Sequence, residues 1–187
     1  MAQDTIKVID NFLKDEHFAP IAEYSLGTGC PWSFNEGILT PSVPKDSWQL
    51  VHTFYAGPHM SPALELMYPL IEKIDPHVLL RIKSNLLPKS SLLTVTKPYH
   101  EDWKGLTDQG IPYMTGILYV NTCNGYTEFE DGTKVDSVAN RFVTFPGKTY
   151  HGGSTTTNNI KRVVINVNWI PNPTGKIAVP VLKGLYA

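Results

Sequence analysis

The segment from residue 162 to residue 169 has two faces of opposite character. In a β-strand, alternate side chains point to opposite sides. One face would be wholly apolar, which suits packing against helices, and it carries Val163, Ile165, Val167 and Trp169. The other face carries Arg162, Val164, Asn166 and Asn168. Because polar groups in a tight apolar core need buried partners at considerable cost, this second face borders either bulk water or a wet pocket.

The segment from residue 113 to residue 120 shows the same division. One face would carry hydroxyl groups together with one isoleucine: Tyr113, Thr115, Ile117 and Tyr119. The opposite face has no polar side chain: Met114, Gly116, Leu118 and Val120. Two β-segments with matching polar faces favour an interior pocket over two unrelated solvent-facing surfaces.

The composition is that of a globular protein with many short elements. A chain of 187 residues fits one domain and can bury roughly 70% of the surface that its unfolded form exposes. Fifteen Pro and 14 Gly are scattered rather than repeated, so they punctuate the chain instead of marking low-complexity disorder. This pattern favours a loop-rich β architecture.

Charge and targeting signals narrow the expected partners and compartment. The formal net charge is −1, whereas proteins that grip duplex nucleic acid usually carry a basic surplus, so no nucleic-acid partner is expected. No signal-peptide-like segment and no apolar stretch of roughly 18 residues is present, so no membrane association is expected. Cys30 and Cys123 form no disulfide framework and are expected to be reduced thiols. The expected location is the cytoplasm, of the cell or of an infected host.

Local patterns predict helices early in the chain and many short strands after them. A strand-like opening at 8–13 precedes a helix that begins near Lys14 and that Pro20 should shorten or kink. Residues 28–46 form a predicted surface excursion with three prolines, a candidate lid. Ser61 is a predicted N-cap. The apolar stripe of the helix that follows consists of Ala63, Met67, Leu70, Ile71 and Ile74. Further β-segments are predicted at 48–54, 80–84, 92–96, 113–120, 127–129, 141–145 and 162–169.

Two histidines and an aspartate are candidate metal ligands. His100 and Asp102 form a His-x-Asp pair, and His151 follows the predicted strand at 141–145. Two imidazoles and one carboxylate on one face of a metal leave three open positions, an arrangement that suits non-haem Fe(II) oxygenases. The pair alone is weak support, because a surface loop with unrelated side chains gives the same pattern. The order of the other segments favours the metal site.

The chain resembles the 2-oxoglutarate- and Fe(II)-dependent dioxygenases over nearly its whole length, most closely the short single-domain form, of viral and bacterial type, of their prolyl 4-hydroxylase-like branch. The residues that carry the resemblance are 8–13, 81–86, 100–102, 115–121, 125–129, 141–146, 151 and 162. The resemblance implies a mainly β protein with flanking helices, built as a double-stranded β-helix, or jelly roll. It also implies one dioxygenase domain over 1–187: a helical buttress with outer strands at 1–78, the jelly-roll core at 79–170 and a C-terminal tail at 171–187.

The resemblance also implies roles for individual residues. His100, Asp102 and His151 match the iron ligands, and no further catalytic residue is implied. Arg162 matches the residue that binds the 5-carboxylate of 2-oxoglutarate, and Tyr119 matches the tyrosine that shares this carboxylate in several relatives. The planar fork of a guanidinium suits a carboxylate better than an ammonium does.

Three further residues are weaker candidates near the same site. Asn85 and Tyr113 are expected near the co-substrate, although a polar residue at a strand end is commonly structural. Trp103 directly follows the metal pair and could wall the substrate pocket, with plain packing as the alternative.

The chain departs from the family pattern in two places. Many relatives carry Tyr where this chain has Leu87 before a proline, so the work of that Tyr would fall to Tyr119 or Tyr113. The interval from the second histidine to Arg162 is also slightly longer than in several relatives. Lys161 is the alternative basic residue, but strand alternation would place it on the apolar face.

The implied reaction uses Fe(II), 2-oxoglutarate as co-substrate and O2, with ascorbate as an accessory reductant. It releases succinate and CO2 and hydroxylates a substrate C–H bond. The branch favours a prolyl residue in a peptide or protein as the substrate. Two alternatives stay open: a non-catalytic jelly roll that binds or assembles with other molecules, and an oxygenase that acts on a free amino acid or nucleic acid. The sequence leaves the oligomeric state open.

Overall fold

The computed structural model describes residues 5–36 and 48–172. Most of the predicted excursion at 28–46, from residue 37 onward, lies outside these ranges. Residues 173–187 of the predicted C-terminal tail lie outside them as well. The lid therefore stays a prediction.

Strands dominate the described residues, and three short α-helices and one 3₁₀ helix accompany them. The strands are β1 (Lys7–Ile9), β2 (Ser33–Glu36), β3 (Trp48–Ala56), β4 (His59–Met60), β5 (Pro76–Pro88), β6 (Met114–Tyr119), β7 (Tyr126–Phe129), β8 (Lys134–Asp136), β9 (Phe142–Pro146), β10 (His151–Gly153) and β11 (Lys161–Pro171). The helices are α1 (Asp15–Leu26), the 3₁₀ helix (Pro62–Met67), α2 (Tyr68–Ile74) and α3 (Lys104–Asp108).

These strands form two antiparallel sheets, which together make the predicted double-stranded β-helix. The larger sheet has the order β1-β9-β6-β11-β5-β3-β2, with β4 paired to β3. The smaller sheet has the order β10-β7-β8. Strand β11 lies in the middle of the larger sheet, between β5 and β6.

The two faces of β11 and β6 pack as their alternation predicts. The apolar face of β11 joins the core between the larger sheet and the helices, through Val163, Ile165, Val167 and Trp169. The opposite face of the two strands contributes Ile117, Tyr119 and Val164 to a second core, together with Phe129 and Val135 of the smaller sheet. The polar side chains on this face of β11 are buried, not solvated: Arg162, Asn166 and Asn168 are 1%, 9% and 0% exposed.

The helices follow their sequence signals in part, because the helix predicted after Ser61 is divided into the 3₁₀ helix and α2. The Ser61 hydroxyl accepts a hydrogen bond from the backbone N–H of Ala63 (3.2 Å), so the predicted N-cap is present. Helix α1 runs through Pro20 to Leu26 without a break, so Pro20 does not shorten it, and the alternative effect, a kink, stays a prediction. Within the described ranges, no helix combines the length and the apolar character needed to cross a bilayer.

Three boundary predictions differ from the structure. The predicted strand at 8–13 ends at Ile9, because Asn11 adopts a positive φ of 49° that breaks the extended backbone. The predicted β-segment at 92–96 forms only an isolated bridge from Val95 to Ser154, so its β-branched residues find no continuous partner strand. The predicted strand at 80–84 is instead the 13-residue β5, held between two long neighbours.

Asn140 fastens the N-terminal segment to the larger sheet. Its side-chain amide donates to the Leu13 carbonyl (2.8 Å) and accepts from the Leu13 N–H (2.9 Å). Its backbone carbonyl accepts from the N–H of Phe12 (2.8 Å), whose ring stacks on that of Phe142 at 4.2 Å. The residue has a positive φ of 62°, which asparagine tolerates better than most side chains.

Replacing Asn140 by Gly isolates the side-chain bonds, because glycine accepts the same backbone angle. We expect Asn140→Gly to lower the free energy of unfolding by about 2–3 kcal/mol, since two buried backbone groups of Leu13 lose their partners. Urea unfolding measures the difference. Asn11→Gly is the matched control, an exposed asparagine that also has a positive φ, and it should change stability little. Equal effects of the two substitutions would contradict this account.

Candidate active site

The structure brings together the three side chains predicted as metal ligands. His100 and His151 exchange two backbone hydrogen bonds of 3.0 Å, which fixes the two residues side by side. Their ring centroids lie 4.9 Å apart. One candidate ligand atom from each of His100, Asp102 and His151 lies within 4.8 Å of the others. This spacing allows one metal ion to contact all three.

His151 begins β10 and is 3% exposed. Its Nδ1 lies 3.0 Å from the Thr149 carbonyl oxygen, which favours the tautomer that carries the proton on Nδ1 and donates it to this carbonyl. In that tautomer the lone pair of Nε2 is free. The ring packs edge-on against Phe145 of β9, with centroids 4.8 Å apart. Hydrogen bond and packing together fix the orientation of this imidazole.

His100 differs from His151 because its ring has no hydrogen bond to any described residue, and its Nδ1 is fully buried. Burial, together with the neighbouring His151, lowers the pKa of His100 to about 4, although Asp102 acts in the opposite direction. A neutral imidazole is the form that binds metals.

The carboxylate of Asp102 is held by one cross-strand row of residues. In the larger sheet Asn168 of β11 lies opposite Arg81 of β5 on one side and Thr115 of β6 on the other. Arg81 forms an ion pair with Asp102 at 3.0 Å, and the Asn168 amide donates to it at 2.9 Å. Thr115 lies 3.4 Å from the same carboxylate. Burial alone would raise the pKa of Asp102, but the Arg81 charge, the neighbouring His151 and the Asn168 hydrogen bond hold it well below its usual range.

A cavity of about 70 Å³ extends from these three residues between the sheets. A single water needs roughly 10–15 Å³ on this measure, so the cavity holds several waters or a small molecule. Beyond the three candidate ligands, the polar side chains at its wall include Lys83, Thr127 and Arg162. The three candidate metal ligands and Arg162 therefore share one cavity.

Arg162 is a buried guanidinium without an acidic partner among the described residues. It is 1% exposed, and its contacts are to the Ser154 carbonyl and the Thr127 hydroxyl, both at 3.3 Å. Its Nε is buried and has no hydrogen-bond acceptor. Burial lowers the pKa of Arg162, partly offset by Tyr119. The Gly125 backbone leaves room for this side chain, because a Cβ there would lie 2.5 Å from Arg162 Cδ.

Tyr119 supports this arginine from behind. Its ring centroid lies 5.6 Å from the guanidinium carbon, and its hydroxyl donates to Thr127 Oγ1 at 2.8 Å. Tyr119 is not among the cavity-lining residues, whereas Thr127 is. Because the Thr127 oxygen accepts from both Tyr119 and Arg162, its own O–H is free to donate to a ligand. Tyr119 is thus connected to the cavity through Thr127, and its predicted contact with the co-substrate stays a prediction.

The weaker candidates divide between the cavity and its support. Asn85 lines the cavity. Tyr113 does not; its hydroxyl accepts from the Trp103 N–H (2.9 Å) and donates to the Gly147 carbonyl (2.8 Å), so it fastens the segment after the metal pair. Trp103 is also absent from the lining and packs under Arg81, whose guanidinium carbon is 5.6 Å from the ring. Lys161 bonds to the carbonyl of Leu26 on the helix side, as alternation predicts.

Sequence reasoning identified Asn85 but missed the two charged residues that β5 contributes to the site. Arg81 and Lys83 share a strand face with Asn85, so the period of two was the available signal. Alternating charges on a strand usually mark a solvent face, and only the pairing of β5 with β11 turns this face inward.

The titration of His100 predicts how the stability of the metal-free protein depends on pH. His100 takes up a proton near pH 6.5 in the unfolded chain and only near pH 4 in the folded chain. The contribution of His100 to the free energy of unfolding is therefore fully present above pH 6.5 and is lost as the pH falls toward 4. We expect the free energy of unfolding to drop by about 1–2 kcal/mol between pH 7 and pH 5 on this account. In urea unfolding, His100→Gln should show a decrease that is smaller than that of wild type by this amount, because the other histidines contribute equally to the variant and to wild type. The exposed His59→Gln should behave as wild type; an unchanged pH slope in His100→Gln would contradict the assignment.

A scan against protein-family models finds no match, and a search of curated proteins finds none either. Solved structures do match. A viral collagen prolyl hydroxylase from Paramecium bursaria Chlorella virus-1, in complex with 2-oxoglutarate, is 15% identical with a TM-score of 0.54, covering 88% of this chain and 94% of that chain. A prolyl hydroxylase from Trichoplax adhaerens, in complex with a hypoxia-inducible-factor peptide fragment, is 14% identical with a TM-score of 0.64, covering 90% and 84%.

HygX from Streptomyces hygroscopicus, with nickel and 2-oxoglutarate bound, is 12% identical with a TM-score of 0.57, covering 89% of this chain and 83% of that chain. It has also been solved with hygromycin B bound. At these identities the likeness establishes the fold. The chain has the double-stranded β-helix of these prolyl hydroxylases and of HygX.

Proposed function

We propose that this protein is an Fe(II)- and 2-oxoglutarate-dependent oxygenase that hydroxylates a substrate C–H bond. One observation carries the proposal: a single cavity joins a two-histidine, one-aspartate cluster to a buried arginine that has no acidic partner among the described residues. The first group of residues suits a metal and the second suits a carboxylate. A co-substrate that chelates the metal at one end and carries a carboxylate at the other would engage both.

His100, Asp102 and His151 would hold the iron. The donor set fits, because two neutral imidazoles and one carboxylate leave open positions for other ligands. Asp102 is held as a carboxylate by Arg81 and Asn168, so it needs no deprotonation to bind. The unpaired ring of His100 gains a partner when a metal binds.

Arg162 and Thr127 would hold the far carboxylate of 2-oxoglutarate. A buried guanidinium without a countercharge is costly, and a bound carboxylate supplies that charge. The Thr127 hydroxyl adds a neutral donor beside it. When bound, the iron supplies the oxygen chemistry that couples conversion of the co-substrate to succinate and CO2 with hydroxylation. The protein orients both partners and excludes water, and no side chain is needed as a general base.

Removing the guanidinium tests the carboxylate site. Arg162→Met should weaken 2-oxoglutarate binding roughly 30- to 150-fold, the equivalent of a charge-assisted contact of about 2–3 kcal/mol, while metal affinity stays nearly unchanged. Anaerobic titration of the Fe(II)-loaded protein with 2-oxoglutarate, followed by charge-transfer absorbance, gives the affinity. Arg141→Met is the control, because that arginine pairs with Asp10 on the surface. Wild-type affinity in Arg162→Met would count against the assignment.

The same titration separates the oxygenase from the alternative of a non-catalytic jelly roll. An oxygenase binds Fe(II) and 2-oxoglutarate and slowly releases succinate even without its primary substrate. A wild-type protein that binds neither would support a binding or structural role for the fold.

We further propose that the primary substrate is a prolyl residue in a peptide or protein, which makes a peptide or protein the expected partner. Two of the similar structures are prolyl hydroxylases, and one of these holds a peptide fragment, although HygX has been solved with hygromycin B. A prolyl peptide in polyproline II form carries little ordering cost on binding.

Mass spectrometry tests this substrate class. Pro-rich peptides incubated with enzyme, Fe(II), ascorbate and 2-oxoglutarate should gain one oxygen on proline, and Asp102→Ala enzyme should give none. Succinate release stimulated by a free amino acid or a nucleotide, with the peptides unmodified, would replace the prolyl assignment.

A further inference from the structure

The ammonium group of Lys83 faces the cavity without a partner among the described residues. Lys83 lies on β5, two residues along the strand from Arg81 on the same face, and its side chain lines the cavity wall. No hydrogen bond or ion pair from residues 5–36 and 48–172 reaches its Nζ. Burial, with a further contribution from Arg81, lowers the pKa of Lys83 to about 8 against the opposing effect of Asp102. The group is still largely charged at neutral pH and lacks a countercharge.

Two unpaired amides lie beside this lysine. Asn166 of β11 is directly opposite Lys83 in the sheet register, and Asn85 is the next residue on the same face of β5. They are 9% and 7% exposed, and both line the cavity. The Oδ1 atom of each is buried without a hydrogen-bond partner. An amide oxygen only accepts, so these two atoms suit a donor such as the Lys83 ammonium, whereas the Nδ2 group of each amide is the one that can donate to an anion.

The charges around the cavity also do not balance. Arg81 is neutralised by its ion pair with Asp102, the one carboxylate among the described residues that line the cavity. Arg162 and Lys83 both remain without an anionic partner in the part of the chain that the structure describes. The far carboxylate of 2-oxoglutarate, under the proposed function, neutralises Arg162 alone.

We propose that Lys83, Asn85 and Asn166 form a second carboxylate-binding subsite in this cavity, distinct from the one at Arg162. The carboxylate has two possible sources. It belongs either to the metal-binding end of the co-substrate or to the primary substrate. The second source rests on the proposed function, whereas the subsite itself does not.

The strand register gives the spacing between the two subsites. Arg162 lies opposite Leu87, which is four residues along β5 from Lys83. Four residues of strand span about 13 Å. This span separates the backbones of the two rows, not the charged ends of the side chains. The two cationic residues therefore belong to different rows of one cavity, and the dicarboxylate titration below tests whether one molecule reaches both.

Glutarate tests the first source, because it has two carboxylates and no keto group to chelate a metal. Calorimetric titration of the full chain, with Zn(II) and without added metal, gives its affinity. If the co-substrate supplies the carboxylate, we expect Lys83→Met and Arg162→Met each to weaken glutarate binding about 10- to 100-fold. Lys89→Met is the matched control, since Lys89 follows β5, is exposed and does not line the cavity; it should bind as wild type.

Acetate tests the second source, in Zn(II)-loaded protein saturated with 2-oxoglutarate so that Arg162 is occupied. If the primary substrate supplies the carboxylate, acetate should shift the side-chain amide NMR signals of Asn85 and Asn166 saturably in wild type and not in Lys83→Met. Removing an unpaired ammonium should not impair folding, and Lys83→Gln serves as a second variant.

The subsite is overturned if Lys83→Met and Lys83→Gln leave glutarate affinity within about twofold of wild type and acetate causes no Lys83-dependent shift. Failure of the proposed function gives a different result. In that case 2-oxoglutarate binds Zn(II)-loaded wild type no more tightly than glutarate, while the dependence of glutarate binding on Lys83 still decides the subsite.

Discussion

A guanidinium buried without a countercharge from residues 5–36 and 48–172 is the constraint on which the site depends. Arg162 is 1% exposed and donates only two hydrogen bonds to described residues, both of 3.3 Å and both to neutral oxygens, while its Nε has no partner among them. Taking a charge out of water costs several kcal/mol unless an opposite charge or full hydrogen bonding compensates. The surrounding structure is arranged to keep this group in place, with Tyr119 stacked near it and Gly125 leaving it room. Such a group is best explained by an anionic ligand.

The sheet register converts this local constraint into a site. Strand β11 carries Arg162, Asn166 and Asn168 on its cavity face, with Val164 between the first two, and each polar residue lies opposite a specific neighbour on β5 or β6. The row at Asn168 holds the candidate metal-binding carboxylate, the row at Asn166 presents Lys83, and the row at Arg162 ends the cavity. A slip of one residue in β11 would turn this entire set toward the helices. The apolar face of the same strand, packed in the core, prevents that slip.

Much of this arrangement could be predicted because it follows from local periodicity. Alternation within β6 and β11 identified the cavity face, and motif order identified the three candidate ligands before any contact was known. The charged residues of β5 could not be placed in this way, because Arg81 and Lys83 look like a solvated strand face until the neighbours of β5 are known. The role of Thr127 depends on a hydrogen bond from Tyr119 that joins the two sheets. Residues 92–96 have strand propensity but no continuous partner strand. In all three cases the outcome depends on contacts between residues far apart in the sequence, which local periodicity does not reveal.

The most direct test of the central claim is a crystal structure of the protein grown anaerobically with Mn(II) and 2-oxoglutarate. The account predicts one anomalous-scattering peak contacted by His100, Asp102 and His151 at roughly 2.0–2.3 Å. It also predicts electron density for the far carboxylate against the Arg162 guanidinium and the Thr127 hydroxyl. A metal peak elsewhere, or a fully occupied metal with the Arg162 end of the cavity holding only water, would contradict it.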